Sequence, residues 1–243
     1  MNAISWKNWV IFLAQRYNIF LFAYKFFLKS LKKSNNKSSS ILSFLIIFFI
    51  ELIFEFLTFF KFSRVDKEIR AKVEKNYTIP RSTLIIQLVS IIYFLKKEKK
   101  LKNILYKSSL MDIGCGFGKV LFFFKFIFNF TYGVEINRYV FSSLSKNFNK
   151  KKQNVKLINR DFFLINIPKK VNFFYIFSPF NKEILYRRFI NRLIKHSRLH
   201  KKKIYLILAS KRCLDFFLNK NFKILKHQSF LDEEYNTYLL RYK

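Results

Sequence analysis

Three acidic residues of this chain, Asp112, Glu135 and Asp161, fall where short apolar runs end, and the first leads into a turn with glycine at every second position. The turn reads Gly114-Cys115-Gly116-Phe117-Gly118. Glycine accepts φ > 0 and lets a ligand approach the backbone closely. An ionised carboxylate offers only acceptors, so it suits a ligand that presents hydroxyl or amino groups. In an open α/β sheet, ligands bind beyond the carboxyl ends of the strands, near the point where strand order reverses. These acids and this turn therefore point to the binding of an organic ligand at one end of a sheet. The spacing is G-x-G-x-G, shorter than the G-x-G-x-x-G that marks nicotinamide-dinucleotide binding.

Such a site needs parallel strands to carry it, and strand and helix signals alternate from residue 109 onwards. Residues 109–113 read as the first strand and 118–128 as its helix. Residues 131–136 form a second strand holding Glu135, and a helix follows over 138–149. The stretch 154–163 reads as a third strand with its outgoing loop and Asp161. Little helix separates it from a fourth strand within 171–180. An amphipathic helix then runs from Asn181, with Leu185, Tyr186, Phe189, Ile190, Leu193 and Ile194 at helical spacing. Residues 203–210 read as a fifth strand, and 221–230 with 234–243 as an antiparallel pair. Ahead of all this, 84–95 predicts an apolar helix against the sheet edge, and the basic run after it a solvated end.

The stretch LMDIGCGFGK at 110–119, with the acids that follow, resembles the class I S-adenosylmethionine-dependent methyltransferases. That resemblance covers about residues 77–243. It implies an α/β fold: a Rossmann-like seven-strand sheet with helices on both faces, and S-adenosylmethionine as cofactor. It implies that Gly114, Cys115, Gly116 and Gly118 pass against the methionine and ribose, with Asp112 in support. Glu135 would accept from the ribose hydroxyls and Ile136 would pack on the adenine. Asp161 would accept from the adenine amino group, and Phe162 would donate a backbone N–H. The fourth strand ends in Ser178-Pro179-Phe180-Asn181, where amino-directed members of the class carry Asn or Asp before Pro-Pro-aromatic. Ser178, Pro179 and Phe180 are thus the expected catalytic positions, and the serine is a departure from adenine-N6 and glutamine methyltransferases. The Gly-Val-Glu and Arg-Asp-Phe-Phe runs are similar to those of seven-strand protein-lysine methyltransferases. The layout as a whole resembles poorly characterised bacterial methyltransferases. A protein lysine or other amine is the expected acceptor. RNA is the alternative, and a membrane-surface binding protein with an inactive methyltransferase fold is a third reading.

The 243 residues suffice for one such domain at 77–243 plus an apolar, basic, helical extension at 1–76. The formal net charge of +33 favours anionic partners, nucleic acid or acidic lipid among them. The lysines are spread through helices and loops, however, and compositional drift explains them as readily as a binding surface. Residues 1–33 mix tryptophans and lysines as an interfacial helix does, and no small-residue cleavage site follows them. Residues 41–60 have the length of a bilayer span. Glu51 and Glu55 oppose a simple span, each costing about 3 kcal/mol near a helix centre. Cytoplasmic location is the expectation, and residues 1–60 fit either membrane association or helices packed on the domain. Cys115 and Cys213 have neither metal-site spacing nor a disulfide framework. His196, His200 and His227 read as surface residues.

Overall fold

The computed structural model describes residues 49, 83, 85–148, 154–211, 214–228 and 236–242. The expected helical extension, apart from Phe49, and Cys213 lie outside the described residues. Among the described residues, no helix is long and apolar enough to cross a membrane.

Seven strands form one sheet in the order β3-β2-β1-β4-β5-β7-β6. They are β1 (Ser109–Ile113), β2 (Phe130–Val134), β3 (Val155–Ile158), β4 (Val171–Ile176), β5 (Ile204–Leu208), β6 (Phe222–Gln228) and β7 (Thr237–Tyr242). The first five are parallel to one another, while β7 runs antiparallel to both β5 and β6. The chain steps outward from β1 to β3, then crosses back to place β4 on the other side of β1. The strand order therefore reverses between β1 and β4. Strands β1 and β5 are buried on both faces, which is why they read as continuous apolar runs rather than alternating ones.

One face is covered by α1 (Ile85–Lys97), α2 (Lys99–Leu105) and α3 (Lys119–Phe124), whose Leu88, Leu95, Leu101, Leu105 and Phe124 pack on Leu110, Phe173, Tyr175 and Ile207. Beside them, α4 (Arg138–Phe148) sets Leu144 and Phe148 against Leu121 and Leu157. The opposite face takes α5 (Glu183–His200) and α6 (Leu214–Leu218), with Phe189, Leu193 and Phe217 among Phe174, Ile176 and Leu206.

Three expectations need correction. The helix after the glycine turn stops at Phe124, because the Asn154 side chain donates to the carbonyls of Lys125 and Phe128 at 2.7 and 3.2 Å and turns the chain into β2. The basic run after α1 is not a solvated end: it forms α2, which buries Leu101 and Leu105 between its lysines. Nor does α1 sit at the sheet edge. It lies on the sheet face, with Gln87 Nε2 donating to Thr237 Oγ1 on β7 at 3.1 Å.

Gly118 caps α3 with φ +83°, and a Cβ there would lie 2.4 Å from Leu144 Cδ1 and 2.7 Å from Phe148 Cε2. Gly118→Ala combines a left-handed backbone with an overfilled contact. It is expected to destabilise the protein by about 2 kcal/mol in urea unfolding.

Candidate functional site

The glycine turn is stapled to the end of β2. Gly114 and Cys115 both donate their N–H to the Val134 carbonyl, at 2.9 and 3.1 Å. That bond brings Glu135, the next residue, under the turn, where its Oε2 accepts from Gly116 N–H at 3.0 Å. Its Oε1 accepts from Asn137 N–H at 2.8 Å. Gly114, Gly116 and Gly118 all have positive φ, at 74°, 52° and 83°. The Asn137 side chain caps α4 by accepting from Tyr139 and Val140 N–H. Asn159, just beyond β3, donates to the Glu135 carbonyl at 2.8 Å. The glycine turn and the start of α4 thus fix the Glu135 carboxylate, and Asn159 fixes its backbone.

Asp112 lies on β1 opposite Gly133 of β2 and Tyr175 of β4. It is 2% exposed, and its Oδ2 has no hydrogen-bond partner. Burial, then the charge of Glu135, holds the Asp112 carboxyl well above the usual carboxylate range. Burial also raises Glu135, against the hydrogen bonds from Asn137, Gly116 and Ile136 that favour its ionised form. Among the described residues, the exposed Glu183 pairs with Arg187 on α5, whereas neither Asp112 nor Glu135 takes a basic side chain. In a chain with 47 Lys and Arg, that isolation leaves two buried acids in want of donors or a cation.

The remaining site residues divide by where their side chains go. Ile136 is partly exposed beside Glu135. Asp161 sits three residues past β3 rather than at its end, and its Oδ1 caps the 3-10 turn Phe162–Leu164 by accepting from Phe163 N–H at 2.8 Å. The Phe162 ring is buried against Phe189. Cys115 is buried with Leu121 and Leu144, so its side chain packs while its backbone shapes the turn. Burial, then the charges of Asp112 and Glu135, pushes its thiol up and keeps it protonated.

Ser178 stands past β4 with φ +43°, a left-handed conformation that costs a non-glycine residue about 1 kcal/mol and is common at functional sites. Pro179 Cβ lies 3.2 Å from where a Cβ on Gly114 would be, so the turn after β4 packs against the turn after β1. The Phe180 ring points into the core, among Phe163, Tyr186 and Phe189, and its carbonyl accepts from the Tyr186 hydroxyl at 3.1 Å.

Of the histidines, His196 is not a surface residue. It is 5% exposed, its Nε2 contacts the Val171 carbonyl at 2.8 Å, and burial lowers its pKa, which keeps it neutral. Sequence reading also passed over Asn137, Asn159, Arg192 and the Thr83–Tyr175 hydroxyl pair, 2.8 Å apart. Asn137 had a signal, an N-cap residue directly before a helix. Arg192 had another, a cation seven residues after Leu185 on the apolar stripe.

No family model matches the chain, and no curated protein matches it by sequence. Solved structures resemble it in chain path. A candidate RNA methyltransferase of Pyrococcus horikoshii shares 17% identity at TM-score 0.48, over 72% of this chain and 95% of its own. A SAM-dependent methyltransferase of Aquifex aeolicus shares 16% at 0.45, over 63% and 93%. The magnesium protoporphyrin IX methyltransferase of Synechocystis, solved with SAM bound, shares 13% at 0.45, over 74% and 91%. The strand order itself is more telling than these distant likenesses: five parallel strands with the reversal beside β1, and an antiparallel β7 inserted between β5 and β6. With that order, the chain has the class I S-adenosylmethionine-dependent methyltransferase fold.

Proposed function

We propose that the protein is an S-adenosylmethionine-dependent methyltransferase acting on an amine, a protein lysine in first place. The observation that carries this is the pair of buried, cation-free carboxyls, Asp112 and Glu135, beside a glycine-rich turn at the switch point. The ligand they call for is rich in donors and positive in charge, and S-adenosylmethionine has both ribose hydroxyls and cationic groups. A carboxylate has about four lone-pair sites. Glu135 spends two on Gly116 and Asn137 and also feels the Ile136 N–H, and its remaining acceptor capacity suits ribose hydroxyls. The unpartnered Oδ2 of Asp112 suits the ammonium end. Asp161 and the Phe162 backbone would hold the adenine edge, with Ile136 on its face.

When bound, S-adenosylmethionine supplies a methyl group made electrophilic by its sulfonium. What remains for the protein is alignment and exclusion of water. The backbone of Ser178 and Pro179, beside the glycine turn, would orient an acceptor amine, and apolar Pro179 would help keep it dry. Phe180 would anchor that turn, its ring in the core and its carbonyl accepting from the Tyr186 hydroxyl. An ammonium acceptor must lose its proton first, and a dry site favours its neutral form.

Incubation with labelled S-adenosylmethionine and fractionated lysate tests this. The expected label is protein-bound and removed by protease. Label removed by ribonuclease would replace the amine acceptor with RNA, which the net charge of +33 would then help bind. Binding of S-adenosylhomocysteine without label in any fraction would overturn catalysis while leaving the binding site standing.

A further inference from the structure

The connection from β3 to β4 crosses beneath β2 and β1 with a single 3-10 turn, Phe162–Leu164, and no α-helix of its own. Buried backbone must find partners, and this crossover finds them on α5. The Arg192 guanidinium donates through Nη1 to the Phe163 carbonyl and through Nη2 to the Ile165 carbonyl. One turn later, the His196 ring takes the Val171 carbonyl. The Arg192 guanidinium also lies over the Phe162 ring, 5.1 Å from its centroid; burial lowers its pKa, and the charge of Asp161 acts against that. Its Nε is buried without a hydrogen-bond partner. Arg188, one turn earlier, covers the Phe163 ring at 4.6 Å.

The Arg192 and Arg188 contacts fall on the segment from Phe162 to Ile165, while His196 holds the start of β4. A planar fork reaching two carbonyls two residues apart fixes a backbone far better than a point charge can. Asp161 is itself tied to that backbone through Phe163 N–H. We infer that Arg192 is a positioning residue that sets the adenine-reading edge, Asp161 and the Phe162 N–H, from behind. The inference rests on the methyltransferase reading above, and it adds the element that gives the site its base selectivity. A carboxylate facing the 6-position accepts from an amino group and repels a carbonyl oxygen. Its selectivity between adenine and hypoxanthine therefore depends on how firmly it is held.

Calorimetry with S-adenosylhomocysteine and its hypoxanthine counterpart, S-inosylhomocysteine, tests this on the full chain. Wild type is expected to bind the adenine ligand at least about 10²-fold more tightly, as a site built on hydrogen bonds rejects an analogue that cannot make them. Arg192→Leu should weaken adenine-ligand binding about 10-fold and shrink the selectivity ratio by a similar factor. Arg192→Lys, which can serve one carbonyl but not fork between two, should fall between. Ser197→Ala removes a hydrogen bond at the far end of α5, to the Lys202 carbonyl, and should leave the ratio unchanged. If Arg192→Leu does not fold, Arg192→Lys carries the test. An unchanged selectivity ratio in a folded Arg192 variant overturns the inference. Failure of wild type to bind either ligand overturns instead the methyltransferase reading on which it rests.

Discussion

Glu135→Gln is expected to weaken S-adenosylhomocysteine binding by about 10²–10³-fold, or about 3–4 kcal/mol, the largest loss of any conservative change in the protein. The carboxylate accepts from Gly116 N–H through one oxygen and from Asn137 N–H through the other. An amide has a single oxygen. Whichever way the glutamine turns, one of the two backbone donors, Gly116 or Asn137 N–H, faces an NH2 group, while the Val134 carbonyl still holds Gly114 and Cys115. The acceptor capacity proposed for the ribose falls at the same time, and hydrogen bonds to a charged group are the stronger kind. Calorimetry would read the loss. Binding within about threefold of wild type would show that Glu135 only shapes the turn.

Asp112→Asn is expected to move stability and binding in opposite directions. Its folded pKa is raised, so the folded state holds the proton more tightly than the unfolded chain does. The stability this group contributes is complete below the ordinary carboxylate range and is lost as pH climbs through the raised value. Above that value the ligand-free protein carries a buried charge with no partner on Oδ2. Asparagine cannot ionise. The variant should lose less melting temperature than wild type between pH 5 and pH 9, by several degrees at about 2–4 °C per kcal/mol for a chain of this size. Binding a cationic ligand favours the ionised acid, so wild type should release protons on binding and bind more tightly as pH rises. Calorimetry in buffers of different ionisation enthalpy should show that release in wild type and its loss in Asp112→Asn, with affinity about 10-fold lower. Parallel pH profiles for the two proteins would remove Asp112 from the account.

Much of the fold was legible because its signals are local. Residues 109–113 were readable as β1 from a short run bounded by a polar stretch and a glycine turn, and the amphipathic helix from its spaced Leu185, Phe189 and Leu193. The glycine turn and its three acids were readable for the same reason. The errors came where a distant residue decides. Phe124 ends its helix because of Asn154, about thirty residues on. His196 is buried because it meets a carbonyl of β4. A lysine-rich run hid α2 because its two leucines are sparse and its apolar partners come from elsewhere in the chain. The orienting shell of the site, Asn159 and Arg192 in particular, was hardest to read. Those residues act on backbone atoms 24 to 29 positions away, and sequence spacing carries no trace of such contacts.

A crystal structure with S-adenosylhomocysteine would measure the central claim directly. The ribose hydroxyls are expected within hydrogen-bond reach of Glu135, the adenine amino group at Asp161, and the amino-acid end beside Asp112 and the turn at Gly114–Gly118. A ligand bound elsewhere, or one lying across this end of the sheet with its ribose turned away from Glu135, would contradict that claim.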